Sequence, residues 1–273
     1  MALNTKVILA LLGILLLAYN AIISGSIQIS KGLLGAIFLA AIFSIICAIS
    51  ADINHTVDYA YATYIISFAV WLFAAYAVCI LIKSVHGRVD LYLVGNYLIA
   101  VCFTQCVLAL MIDNIEPFKI LVDKFVIQGQ EFYDEVERLY GIGAALDNAG
   151  VRFSVVLLIL ASLVSKNPAI RNSKSSLTIY IISFFAILLI GNMISRTTSV
   201  GGGLALGYLV LNTGIFTFIV KRKFFKFHAV FFSILIIAIT ISVYLYNTNK
   251  DFQQDIRFAF EGFFNWVELG EWK

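Results

Sequence analysis

The chain has 273 residues, of which 61% are hydrophobic and 13% charged, and its mean hydropathy is +0.95. Soluble domains carry roughly 25% charged residues, so this composition excludes an ordinary soluble domain and predicts a membrane protein. The formal net charge of +3 is too small to indicate binding to nucleic acid.

Apolar stretches long enough to cross a bilayer recur along the whole chain. A helical span needs ~20 mostly apolar residues to cross ~30 Å of hydrocarbon. No stretch alternates like a β-strand over its length, so we expect α-helices. The predicted fold is an all-α, polytopic transmembrane bundle of about eight spans, in a single membrane domain 1–273, with a partly helical extracytoplasmic loop. The predicted spans are 7–25, 33–50, 59–82, 91–112, 151–165, 177–194, 202–220 and 228–246.

Two of these spans have unusual beginnings. The fifth span is short, and we expect its helix to start earlier, near Gly141. The seventh opens on three consecutive glycines, Gly201 to Gly203, with Gly207 one turn later. Small residues in this pattern favour either close helix packing or a helix break at the membrane surface.

The cationic residues between spans predict the orientation. The linkers 166–176 and 221–227 contain lysine and arginine but no acid, and Lys83 and Arg88 precede the fourth span. The positive-inside rule makes these segments cytoplasmic. Parity then places the N-terminus outside, which is the less common arrangement. Fifteen of the sixteen acids fall in the segments that come out on the far side, 51–58, 113–150, 195–201 and 247–273.

The far-side loop 113–150 has two parts. Residues 115–127 show helical amphipathicity, which predicts a helix lying on the membrane surface. In the second part Arg138 and Arg152 bracket a stretch rich in glycine and alanine. Gly141 and Gly143 permit tight turns and the close approach of a ligand there.

A further arginine, Arg196, follows Ser195 directly after the sixth span. A guanidinium group binds phosphate with a planar fork of donors. Because Arg138, Arg152 and Arg196 all come out on one side, they predict a site for a pyrophosphate at the membrane surface. The alternative is that each of these arginines, like Arg257, only anchors a helix end at the boundary.

Signatures of soluble enzymes are missing from the sequence. There is no P-loop, GxSxG, HExxH or dinucleotide fingerprint, which argues against an ATP-driven mechanism. The four cysteines lie in apolar runs without a CxxC pair. We therefore expect no metal site, no disulfide framework and no cofactor.

Three short motifs resemble the bacterial O-antigen polymerase and O-antigen ligase family. The stretch RLYGIGAALDNAGVRF at 138–153 looks like a periplasmic loop of that family, and Ser195-Arg196 resembles its serine–arginine turn. The stretch RFAFEGFFNWVE at 257–268 looks like the start of the family's second large periplasmic loop. The resemblance covers roughly 130 to 273, with the motifs in the family's order.

The resemblance implies a glycosyl-transfer enzyme of the bacterial inner membrane, active at the periplasmic face. Such proteins polymerise or ligate oligosaccharide units carried on undecaprenyl pyrophosphate, for O-antigen, capsule or exopolysaccharide, without metal or nucleotide. The resemblance implies that Arg152 and Arg196 clamp the pyrophosphate and that Arg138 is a third contact to it. It also places four residues beside the substrate: Gly141, Gly143, Ser195 and Arg257. No residue is assigned as the base. Expected partners are the lipid-linked oligosaccharide, membrane lipid, and a chain-length regulator or flippase.

Family members are commonly longer, so the resemblance also implies a chain truncated at its C-terminus, inside the second periplasmic loop that starts at 247–273. Two other functions remain open. One is a transporter or flippase of lipid-linked sugars. This function is disfavoured, because a transporter commonly has ionisable groups in its spans and a chain built of two repeated halves, and this sequence shows no clear buried charge in its spans and no repeat. The other is a non-catalytic scaffold for glycan assembly, or an inactive fragment.

Overall fold

The structure is a computed structural model that describes residues 5–125, 139–142, 146–213 and 224–270. Within these ranges it contains α-helices and no β-strand, which confirms the predicted all-α membrane bundle. The helices are α1 (Thr5–Ser24), α2 (Lys31–Ile53), α3 (Tyr64–His86), α4 (Leu91–Asn114), α5 (Glu116–Phe125), α6 (Leu146–Lys166), α7 (Pro168–Asn172), α8 (Lys174–Ile194), α9 (Thr197–Thr213), α10 (Phe225–Thr248), α11 (Lys250–Ala259) and α12 (Glu261–Leu269).

Seven helices of the described ranges are long and apolar enough to cross a membrane: α1, α2, α3, α4, α6, α8 and α10. Their outward faces are apolar, as lipid requires. Leu15 is 67% exposed and Ile22 is 82% exposed. The predicted span 202–220 corresponds to α9, which has 17 residues in the described part. Residues 214–220 of that span lie outside the described residues.

The chain divides into two compact units, Met1–Asp90 and Leu91–Lys273. In the first unit α3 packs against both α1 and α2. Side-chain hydrogen bonds link these helices. The Asn20 side-chain amide donates to the Tyr76 hydroxyl at 2.9 Å, and the Ile65 N–H donates to Ser44 Oγ at 2.8 Å. A hydrogen bond between membrane helices helps to fix their register where lipid supplies no other partner.

In the second unit, the glycines of α9 explain how closely it packs on α6. A Cβ atom on Gly201 would overlap the backbone of Ser154, and one on Gly202 would overlap the side chain of Leu188 on α8. Gly203 and Gly207 face open space. The helix continues through all four glycines. The close-packing alternative is therefore observed at Gly201 and Gly202, and no helix break occurs in Thr197–Thr213.

Contacts within the second unit define its two ends. At one end the guanidinium of Arg171, after α6, stacks on the ring of Phe224 at 4.9 Å, just before α10. At the other end Arg196, after α8, forms an ion pair with Glu261, after α11. We call the end that contains Arg196 and Glu261 the arginine end. The linkers 166–176 and 221–227 were predicted to share a side, and the contacts at Arg171 agree with that grouping.

The far-side loop is helical in part. α5 covers the amphipathic stretch as far as Phe125, and the Tyr140 hydroxyl donates to Asp123 on it at 2.9 Å. The helix of the fifth span is described from Leu146 onward, and Gly141 and Ile142, near its expected start, are not helical. Gly141 is buried, whereas Arg138 and Gly143 lie outside the described residues.

Candidate functional site

The Ser195-Arg196 pair forms a sharp turn between α8 and α9. Ser195 takes an extended conformation, with φ −154° and ψ 123°, and its N–H donates to the Gly191 carbonyl at 2.9 Å. The Thr198 hydroxyl donates to the same carbonyl at 2.9 Å, and the Thr198 N–H donates to the Ser195 carbonyl at 3.0 Å. Side-chain and backbone bonds thus satisfy the helix ends, which leaves Arg196 at the tip of a well-defined turn.

The first turns of α6 pack against this serine–arginine turn. A Cβ atom on Gly150 would overlap the Ser195 hydroxyl and would lie 2.8 Å from Thr197 Cβ. The Ser154 hydroxyl donates to the Thr197 carbonyl at 3.0 Å. Ser195 is only 3% exposed, and its hydroxyl has no hydrogen-bond partner among the described residues. Ser195 was predicted to lie beside the substrate, and the structure places its hydroxyl against α6.

Arg196 has two partners from the C-terminal helices. Its Nη2 lies 2.6 Å from Glu261 Oε2, and its Cζ lies 4.0 Å from the centroid of the Phe258 ring. Cation–π stacking and a charge-assisted bond together orient the guanidinium plane. The side chains of Arg196 and Glu261 are 45% and 48% exposed, so a ligand at the membrane surface can reach both.

Hydrogen bonds through Asn192 hold α11 close to the serine–arginine turn. Asn192 on α8 is 1% exposed, and its side-chain amide donates to the Ala259 carbonyl at 3.4 Å. The Ser199 hydroxyl donates to Asn192 Oδ1 at 2.6 Å. Asn192 thereby joins the corner between α11 and α12 to α8, and Ser199 joins Asn192 to α9. This attachment keeps Glu261 near Arg196 without depending on their ion pair.

Arg257 forms its contacts inside the C-terminal segment. Its Nη1 and Nη2 donate to the two carboxylate oxygens of Glu268, at 2.9 and 2.6 Å, and its Cζ lies 4.9 Å from the Phe264 ring centroid. Hydrogen bonding to Arg257 lowers the pKa of Glu268, and the same bonds raise the pKa of Arg257. A bidentate pair of this kind fixes α12 relative to α11.

Arg152 lies beside a separate cavity. Residues two apart on a helix are separated by about 200°, so Arg152 leaves α6 on a different side from Gly150 and Ser154. It lines a cavity of about 230 Å³ between α4 and α6. Gln105 lines the same cavity, and its amide oxygen is buried with no hydrogen-bond partner in the described part of the chain. The other lining residues are mostly apolar. The Arg152 Nε also donates to the Asn148 carbonyl at 3.1 Å.

The predicted site residues therefore form two groups. Arg196 and Arg257 both belong to the arginine end, where their carboxylate partners, Glu261 and Glu268, lie on α12. Arg152 belongs to the mouth of the α4–α6 cavity, close in sequence to the glycine that contacts Ser195. No cluster of three or more His, Cys, Asp or Glu residues that could hold a metal ion occurs in the described ranges.

Sequence reasoning missed several residues of this site. Glu261 and Phe258 lie more than 60 residues from Arg196 along the chain. Gln105 is a single glutamine inside an apolar span. Only the structure shows that its amide oxygen is buried without a hydrogen-bond partner among the described residues. No spacing rule connects residues so far apart. The available signal was the isolated acid Glu261 within a run of aromatic residues.

Comparison of the chain with protein-family models, with curated proteins and with solved structures finds no match. The chemistry of the arginine end is therefore the basis on which a function can be argued.

Proposed function

We propose that this protein is a membrane glycosyl-transfer enzyme that polymerises, or ligates, oligosaccharide units carried on undecaprenyl pyrophosphate. The proposed reaction takes place at the periplasmic face of a bacterial inner membrane, which corresponds to the arginine end. The observation that carries the proposal is the half-exposed, oriented guanidinium of Arg196 at the surface of an apolar helix bundle.

The chemistry of the reaction matches such a group. When a sugar leaves a lipid pyrophosphate, negative charge grows on the bridging phosphate oxygen. Preorganised cationic donors lower the energy of that transition state, and removing one donor commonly costs ~10²–10³ in kcat. Arg196 is held in place by Phe258 and by the short turn, so it needs little reorganisation to act in this way.

The cavity between α4 and α6 supports a second role. It is mostly apolar and carries Arg152 and Gln105 as its polar side chains. Ligand pockets commonly combine apolar walls with a few polar groups that fix orientation. We propose that Arg152 binds the substrate at this cavity, so that Arg152 and Arg196 contact different parts of one large ligand. Arg257 holds α12 in position through Glu268.

A non-catalytic scaffold is the second candidate, and one observation favours it. Arg196 and Arg257 both have carboxylate partners within the chain. Such pairs could serve only to attach α11 and α12 to the bundle.

Deleting the gene in a host that makes a repeating surface glycan distinguishes these functions. Loss of long chains, with single-unit material remaining, is the result expected of a polymerase. An unchanged ladder of chain lengths would refute the proposal, and lipid-linked units retained on the cytoplasmic face would indicate a flippase.

Complementation of that deletion tests the arginines. Arg196→Ala and Arg152→Ala should not restore long chains, and the lysine variants should restore them poorly because lysine lacks the planar fork. Arg88→Ala is the matched control. Arg88 is an exposed arginine paired with Asp90 at 3.4 Å, in the first unit. Full complementation by both Arg196→Ala and Arg152→Ala would contradict the assigned roles.

A further inference from the structure

Among the described residues, Glu261 is the carboxylate that forms an ion pair with Arg196 of the serine–arginine turn. Its Oε2 lies 2.6 Å from Arg196 Nη2, and its side chain is half-exposed. It is the first residue of α12 and follows the corner fastened by Asn192 to the Ala259 carbonyl. A carboxylate fixed beside an accessible guanidinium occupies the position where a phosphate of the substrate would bind.

Anion binding at Arg196 would change the surroundings of this carboxylate. A phosphate oxygen competes with Glu261 for the same guanidinium donors, because both are anions that accept charge-assisted hydrogen bonds. Once displaced, Glu261 loses its ion pair but remains close, since the α11 corner is bonded to α8 and Phe258 still stacks on Arg196.

We propose that Glu261 is the general base of the transfer reaction, and that binding of the donor pyrophosphate to Arg196 releases it for this role. The inference rests on the proposed function. The acceptor hydroxyl gives its proton to the Glu261 carboxylate as its oxygen forms a bond to the anomeric carbon. The bond from that carbon to the phosphate oxygen breaks, and the pyrophosphate leaves with the electron pair, stabilised by Arg196.

Two other carboxylates of the far-side segments, Glu268 and Asp123, are less suited to this role. Glu268 is held by both guanidinium nitrogens of Arg257, which lowers its pKa and makes it a weaker base. Asp123, on α5, accepts the hydroxyl of Tyr140. Glu261 alone among these three touches the arginine proposed to hold the leaving group.

The experiment measures steady-state kinetics of the full chain in proteoliposomes. The donor is the undecaprenyl-pyrophosphate oligosaccharide extracted from the deletion host, and chain elongation is the readout. Glu261→Gln is nearly isosteric and removes the base. We expect its kcat to fall on the order of 10²–10⁴-fold, as general-base removal does. We also expect its donor KM to fall, because a neutral amide competes less well for Arg196 than a carboxylate.

Glu268→Gln is the matched comparison, since it loosens the same segment without touching Arg196. Because α12 also carries Glu261, we expect the kcat of Glu268→Gln to fall far less than that of Glu261→Gln, with the donor KM unchanged. We also expect added formate to restore part of the rate in Glu261→Ala but to leave the rate of Glu268→Ala unchanged. Thermal unfolding of each variant checks that it is folded.

The outcomes separate two failures. If the wild-type chain elongates the donor and Glu261→Gln keeps its kcat, or if both glutamine variants lose activity equally, Glu261 is not the base but the proposed function stands. If the wild-type chain neither elongates the donor nor transfers it to an added lipid acceptor, the proposed function is wrong and the role of Glu261 is refuted with it.

Discussion

Replacing Gly201 by alanine tests the packing of α9 on α6. The added Cβ would overlap the Cα, Cβ and Oγ atoms of Ser154. Two of these atoms cannot move without moving α6 itself, so the helices must separate. Adding one methyl group to a close-packed interface costs about 1–3 kcal/mol, and we expect the upper part of this range.

The expected result is a lower temperature of thermal unfolding. For a unit of this size, 1 kcal/mol corresponds to roughly 2–4 °C, so a loss of about 3 kcal/mol lowers the midpoint by roughly 6–12 °C. Reaction of a fluorogenic thiol reagent with Cys102 and Cys106 reports the unfolding, because both thiols are buried on α4 within the same unit.

Gly203→Ala and Gly207→Ala are the controls on the same helix. A Cβ atom at either position meets nothing within 4 Å. Alanine is favoured over glycine inside a helix by about 0.5–1 kcal/mol, so these variants should unfold at or above the wild-type temperature. Equal losses in all three variants, or no loss in Gly201→Ala, would refute the packing argument.

Three further predictions concern other contacts. Ser154→Ala removes the bond to the Thr197 carbonyl and should cost about 1 kcal/mol in the same unfolding assay. The folded-state pKa of Glu268 is lowered, so the stabilisation from its pair with Arg257 is present above the unfolded value of about 4.3 and is lost as pH falls through the folded value. The protection factors of the amides in 250–269, corrected for the slower intrinsic exchange at low pH, should therefore fall on acidification, and Glu268→Gln should abolish that fall. In a cysteine-free background, Asn172→Cys and Lys250→Cys should react with an impermeant thiol reagent from opposite sides of the membrane, and labelling from one side would refute the two-ended arrangement.

The membrane fold could be predicted from the sequence because the bilayer imposes a simple rule. Each span must be apolar over its whole length, and that property can be read one segment at a time. The helix Lys31–Ile53 contains the predicted span 33–50, and Phe225–Thr248 contains 228–246. The extra residues continue each helix beyond its apolar stretch, where hydropathy no longer marks a boundary.

The detail of the candidate site could not be predicted, because it depends on contacts between distant segments. The sequence marked Arg196 but gave no sign of Glu261 or Phe258 as its partners. Gly201 and Gly203 look equivalent in the sequence, yet only the first contacts another backbone. The sequence groups Arg152 and Arg196 by the side of the membrane on which they lie. It does not predict that the angular position of Arg152 on α6 directs this side chain to the α4–α6 cavity.

The most direct measurement of the central claim uses the purified chain in proteoliposomes with lipid-linked oligosaccharide from the deletion host. The products are released from the lipid and separated by length. The proposed function predicts products longer than one repeat unit with the wild-type chain, or transfer to an added lipid acceptor, and neither product with Arg196→Ala. Donor that stays at one unit with the wild-type chain, with no transfer to acceptor, would contradict the claim.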